Sequence, residues 1–107
     1  MGYTRQFETR EPARSDVDGL EGVSVIEFGT PWCGHCQAAQ PSIEAALSAR
    51  DDVRHMKVED GSGRPLGRSF RVKLWPTLVV LRDGVEVARS VRPLRVDEVE
   101  DALRAAG

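Results

Sequence analysis

Pro31-Trp32-Cys33-Gly34-His35-Cys36 constrains this chain more than any other stretch. It holds both of the sequence's two cysteines and joins an apolar run to a helical pattern. Val23 to Phe28, just before it, is largely apolar on both faces, as a central strand covered by helices must be. After it, Cys36, Ala39, Gln40, Ile43 and Leu47 form one stripe at helical spacing, predicting a helix from Cys33 to about Ala49. Pro41 removes one ladder bond and bends this helix without ending it, because the apolar period continues past it. A cysteine at such a junction meets the positive end and unpaired N–H groups of the helix, which stabilise a thiolate. A second thiol one turn later can reach back and close a small ring. The pair reads as a thiol–disulfide redox centre.

At 107 residues the chain makes one domain, 1–107, with 1–22 its least regular part. The formal net charge of -2, without a basic block or aromatic–basic interleaving, makes nucleic acid an unexpected partner. The longest apolar run, Leu78 to Leu81, is far too short for a membrane span. The first residues are polar and offer no signal-peptide core, so the expectation is a cytoplasmic protein, unless a leader was removed before this numbering. In a reducing compartment two cysteines serve catalysis or metal binding rather than structure. Cys33 and Cys36 have zinc-ligand spacing, but a structural site needs four ligands and only His55 remains, so no metal is expected.

In chain order, residues 1–7 alternate as a short edge strand could, the rival being a partly ordered arm. Thr9 is a candidate cap for a short helix with Pro12 in its first turn and Ala13 and Val17 inward. A strand is expected over Val53 to Val58 and a short helix from Pro65, with Leu66 and Phe70 on one face. Thr77 to Leu81 reads as a strand, Asp83-Gly84 as a hairpin turn and Val85 onward as the returning strand. A last helix runs from about Val96 to Ala106, with Arg95 a poor cap whose first turn should fray. The order β-α-β-α-β-α-β-β-α predicts an α/β fold: a mixed central sheet, parallel strands plus a C-terminal antiparallel hairpin, with helices on both faces.

Val25-Ile26-Glu27-Phe28, Trp32-Cys33-Gly34-His35-Cys36, Pro41, Trp75-Pro76-Thr77 and Asp83-Gly84 together resemble the thioredoxin family across essentially the whole chain. The resemblance implies the thioredoxin fold. It makes Cys33 the exposed attacking cysteine, Cys36 the shielded resolving one, Pro76 a cis-proline facing the disulfide, and Trp32 a sheltering aromatic. Glu27 falls where the family carries a buried acid, and Gly-His between the cysteines is the pairing of protein disulfide isomerase domains. Trp75 replaces a small aliphatic, and Arg92 a glycine of the flat docking surface, which puts a broad partner range in question. The lysine that pairs with the acid falls on either His55 or Lys57.

The expected chemistry follows. Cys33 attacks a partner disulfide, and Cys36 resolves the mixed disulfide and frees the reduced partner. Glu27 relays the Cys36 proton. His35 tunes the couple toward a higher potential than typical thioredoxins have. Trp32, Trp75, Thr77 and Arg92 form the docking rim, with core packing the alternative for Trp75. The redox-active Cys33–Cys36 disulfide replaces any cofactor. Expected partners are disulfide-containing proteins and a thioredoxin-reductase-type electron donor, and nothing demands more than a monomer. Isomerase-like exchange, or a non-catalytic module that binds or chaperones one partner, are the alternative readings.

Overall fold

The computed structural model describes residues 2–107. Its elements are α1 (Arg14–Asp18), β1 (Val23–Gly29), α2 (Gly34–Ser48), β2 (Val53–Glu59), α3 (Pro65–Ser69), β3 (Thr77–Arg82), β4 (Val85–Val91) and α4 (Val96–Arg104). The sheet order is β2-β1-β3-β4, with β1 parallel to β2 and the other pairs antiparallel. This is the thioredoxin fold, a mixed sheet between two helical layers.

Side-chain alternation along the strands sorts the core into two. Val23 and Val25 of β1, Val53 of β2 and Leu78 and Val80 of β3 pack under α2 and α4, against Ile43, Leu47, Val99 and Leu103. Ile26, Phe28, Val58, Val79 and Leu81 pack on the other face against Val17, Leu66 and Phe70. The period of two therefore aims Glu27 and Gly29 at α2, on the face of Val25. It aims His55 and Lys57 the same way, on the face of Val53.

Three expectations near the chain ends change. Residues 2–8 form no strand and touch the β2 edge through two isolated bridges, Gly2 with Arg54 and Phe7 with Lys57. The reason lies at Thr4, whose N–H goes to the His55 ring (3.0 Å) and not to a ladder carbonyl. Met1 lies outside the described residues. The first helix is capped at Ala13 and begins at Arg14, so Thr9 caps nothing and Pro12 precedes the helix. At α4 the Glu98 carboxylate accepts the N–H groups of Leu94 and Arg95, tying down the first turn that Arg95 alone would leave to fray.

Candidate active site

Cys33 is the N-cap of α2, and its sulfur accepts the Cys36 N–H at 3.2 Å. An N-cap acceptor satisfies one of the helix's free donors, and a charged sulfur there gains from the helix dipole. Both thiols are free. The attacking cysteine is less exposed than its expected role suggests: Cys33 is 8% exposed and Cys36 4%. Cys36 lies against the backbone of Gly29, where an ideal Cβ would come within 2.5 Å of its sulfur. Only glycine at that strand end lets the thiol seat itself this closely.

Burial, and then the hydrogen bond with the Cys33 sulfur, push the Cys36 thiol up to about 12, while the Thr30 backbone N–H works against them. Burial, the largest cause, therefore favours the protonated Cys36 thiol at neutral pH, so a group that accepts its proton would speed its attack. The same shift predicts a pH dependence of stability. The folded chain holds this proton more tightly than the unfolded chain, so stability is full below the ordinary thiol value. It should fall as pH rises from about 9 toward about 12. Thermal midpoints across that range check this, since the oxidised form has no Cys36 thiol to ionise and should lack the decline. Parallel curves for the two forms would contradict it.

Glu27 is 2% exposed and sits in a closed set of polar partners. Its Oε1 lies 2.9 Å from His55 Nε2, and its Oε2 lies 2.7 Å from Gln40 Nε2 and 3.8 Å from Lys57 Nζ. The sequence left His55 and Lys57 as alternatives; the structure brings both to the carboxylate. The parallel register sets Lys57 beside Glu27, with His55 two residues earlier on the same face. The hydrogen-bond partners assign the protons. Thr4 N–H can only donate, so His55 Nδ1 accepts it and the ring proton faces Glu27 from Nε2. Lys57 Nζ can only donate and the Cys36 carbonyl can only accept, which fixes the Gln40 amide with Oε1 toward Lys57 (3.1 Å) and Nε2 toward Cys36 O (2.8 Å). Both Glu27 oxygens therefore accept, and Glu27 stands as a carboxylate.

The rim is built from aromatics. Trp32 is 72% exposed and meets Trp75 edge-on, with ring centroids 5.9 Å apart. Trp75 is half-buried, its indole N–H held by Asp60 at 2.9 Å, so it belongs to the rim and not the core. The Trp75–Pro76 bond is cis, and Pro76 is buried. Thr77 leaves the docking set: it is 2% exposed and its hydroxyl donates to the Leu74 carbonyl, closing the turn before β3. Arg92, at φ 51°, donates from Nε to the Trp75 carbonyl at 2.8 Å and has no acidic partner among the described residues. His35 is exposed in the first turn of α2.

Sequence reasoning missed Gln40, Gly29 and Asp60. Gln40 fits the helix stripe by its spacing, and an amide on an otherwise apolar stripe, one turn after Cys36, is the signal. Among the described residues no group of three His, Cys, Asp or Glu side chains is placed to hold a metal. Nor is any helix there long and apolar enough to cross a membrane.

A thioredoxin family profile matches residues 8–105. The chain belongs to the thioredoxin family. Among solved structures, it is similar to thioredoxin 2 from Pseudomonas aeruginosa PAO1 in its reduced form. That match has a TM-score of 0.85 and 53% identity, covering 97% of this chain and 96% of that one. It is 39% identical over 71 residues to a thioredoxin of Chlamydia trachomatis, covering 65% of this chain and 69% of that protein. It is also 31% identical over 87 residues to a protein disulfide-isomerase of Datisca glomerata, covering 75% of this chain but 17% of that protein. In this thioredoxin-family chain the Cys-x-x-Cys pair is the redox motif, and the activity typical of the fold is thiol–disulfide oxidoreduction.

Proposed function

We propose that this chain reduces disulfides in partner proteins. The Cys33 thiolate attacks one sulfur of a partner disulfide, forming a mixed disulfide and releasing the other sulfur as a thiol. Cys36 gives its proton to Glu27 and attacks the Cys33 sulfur. The second partner sulfur leaves and takes up a proton, and Cys33–Cys36 becomes the disulfide. A thioredoxin-reductase-type donor then restores the dithiol. The observation that carries this reading is an N-cap sulfur paired with a less exposed thiol on the next helix turn, whose backbone carbonyl shares the Gln40 amide with a buried carboxylate. A reducing compartment such as the cytoplasm suits the reaction.

Reduction of insulin, supported by a dithiol, tests it. No activity above the dithiol alone would leave a partner-binding module as the reading. The Gly-His pairing and the similarity to a disulfide-isomerase segment favour isomerase-like exchange as the second reading. Equilibration with glutathione separates the two: a potential near about -270 mV marks a reductant, and one near about -180 mV marks exchange, with His35 raising the couple.

Arg92 bears on partner choice. An extended partner strand laid beside Pro76 would use the Trp75 backbone, and the Trp75 carbonyl is already taken. Arg92→Gly frees that carbonyl, and a φ of 51° suits glycine. We expect kcat/KM on neutral disulfide peptides to rise by roughly threefold to tenfold, about the worth of one hydrogen bond. An unchanged value would show that Arg92 moves aside freely.

A further inference from the structure

The polar cluster around Glu27 contains more order than a buried acid and one counter-charge require. Gln40 uses its full hydrogen-bonding capacity. Its Oε1 accepts from Tyr3 Oη (2.6 Å) and Lys57 Nζ (3.1 Å), and its Nε2 donates to Glu27 Oε2 (2.7 Å) and Cys36 O (2.8 Å). One amide thus ties the carboxylate to the backbone of the resolving cysteine. Over this sits the segment Gly2–Glu8, strapped to β2 through Gly2 N–H to Val53 O and Glu8 N–H to Lys57 O, both 2.8 Å. Within the strap Tyr3 stacks on the His55 ring, Thr4 N–H fills His55 Nδ1, and Phe7 lies over the Lys57 ammonium.

We propose that Gln40 is a positioning residue that holds the buried carboxylate for its proton exchange with Cys36. The Gly2–Glu8 strap, we infer, keeps Gln40 and His55 in the arrangement that leaves Glu27 a proton acceptor. This rests on the reading of Glu27 as the base for Cys36. The strap acts in two ways. Thr4 occupies His55 Nδ1, so the imidazole stays neutral and donates to Glu27 from Nε2. Tyr3 holds Gln40 Oε1, so the amide keeps its N–H groups turned to Glu27 and Cys36. The titratable groups facing the carboxylate are His55 and Lys57 from β2, Cys36 from α2 and Tyr3 from the strap; β3 sets apolar Leu78 beside it. Burial and the nearby Glu27 charge both favour the neutral Tyr3 phenol, which keeps it a donor.

The proton step balances. The Cys36 S–H bond breaks and Glu27 takes the proton. The Cys36–Cys33 S–S bond forms as the Cys33–partner S–S bond breaks. The departing sulfur carries the electron pair as a thiolate, and the proton held by Glu27 passes to it or, for a weakly basic leaving group, to solvent.

The experiment follows the reduced full-length chain reacting with an aromatic disulfide that releases thionitrobenzoate. The first release is by Cys33, and the second is by Cys36 from the mixed disulfide. Gln40→Met, which keeps the volume and loses every hydrogen bond, should slow the second phase by about tenfold at pH 7. It should also move the rise of that phase to higher pH, because a carboxylate stripped of a donor keeps its proton longer. In a Glu27→Gln background the same change should cost less than about twofold, since the two act through one another. Tyr3→Phe should shift the profile the same way, by roughly twofold to fivefold at pH 7.

A second phase in Gln40→Met that matches the unaltered protein, or is slowed equally at every pH, would overturn the positioning role while leaving Glu27 as base. An unshifted Tyr3→Phe profile would overturn the strap. Glu27→Gln with an unaltered second phase at every pH would sink the underlying reading as well. Imidazole ¹⁵N shifts of the unaltered protein test the arrangement without any variant: a neutral His55 with its proton on Nε2 at pH 7 is expected, and an Nδ1–H ring or a cation would overturn it.

Discussion

With Cys36 replaced by serine, turnover on insulin is expected to fall by about 10³-fold or more, and Cys33 should accumulate in covalent complexes with its partners. The first attack needs only the N-cap sulfur, which the substitution leaves in place. Release needs a second sulfur nucleophile at the right distance, and a hydroxyl does not supply one. A well-oriented intramolecular group can act at an effective concentration of about 10⁵ M, which millimolar external thiol does not match. The fold should persist, since serine is smaller than cysteine and the hydrogen bond from residue 36 to the Cys33 sulfur comes from the backbone. Mass spectrometry of the trapped species, with single-turnover partner release, provides the measurement. Release at the full rate through Cys33 alone would remove the two-cysteine mechanism.

Glu27→Leu should lower stability by about 3–5 kcal/mol, the usual effect of breaking a buried ion pair from one side. That is a large part of the roughly 5–15 kcal/mol available to a domain of ordinary stability. The change leaves the largely buried Lys57 ammonium without its counter-charge, and the His55 ring N–H and one Gln40 N–H without acceptors. Glu27→Leu with Lys57→Met should recover part of the loss by removing the stranded charge. Recovery should be incomplete, because His55 and Gln40 still lack their acceptor. Urea unfolding of the reduced forms checks both, read as a shift in midpoint at constant slope. A loss below about 1 kcal/mol for the single variant would mean that the cluster does not hold an ionised group.

Much of this was legible from the chain. Val23 to Phe28, the stripe from Cys36 to Leu47 and the Asp83-Gly84 turn each carry a local signal whose period or turn chemistry has one good solution. They set β1, α2 and the β3–β4 hairpin with only small boundary shifts. Residues 2–8 were not legible, because their backbone partners lie fifty residues away and one of them is a side chain, His55. Gln40 and Asp60 escaped for a similar reason. A lone amide on a helix and a lone carboxylate in a loop acquire meaning only from what folding places opposite them.

The sequence by itself determined β1, α2, the β3–β4 hairpin and the pair of cysteines at a helix start, since strand period, helix period and turn residues are properties of short windows, and its ordered motifs carried the family resemblance. Only the tertiary structure decided which groups meet. The parallel register of β1 and β2 sets Lys57 beside Glu27, and the shared strand face adds His55. The crossing of α2 over that face delivers Gln40 and Cys36. The turn at Leu74–Thr77 buries Thr77 and leaves Trp75 to the rim, while Arg92 reaches across to take the Trp75 carbonyl. Apart from the local Leu74–Thr77 and Cys36–Gln40 contacts, these join residues at least 13 positions apart, through geometry that no local window contains. The sequence therefore supplied the cysteines and the acid, and the packing of α2 and β2 around β1 supplied the polar groups that surround the carboxylate.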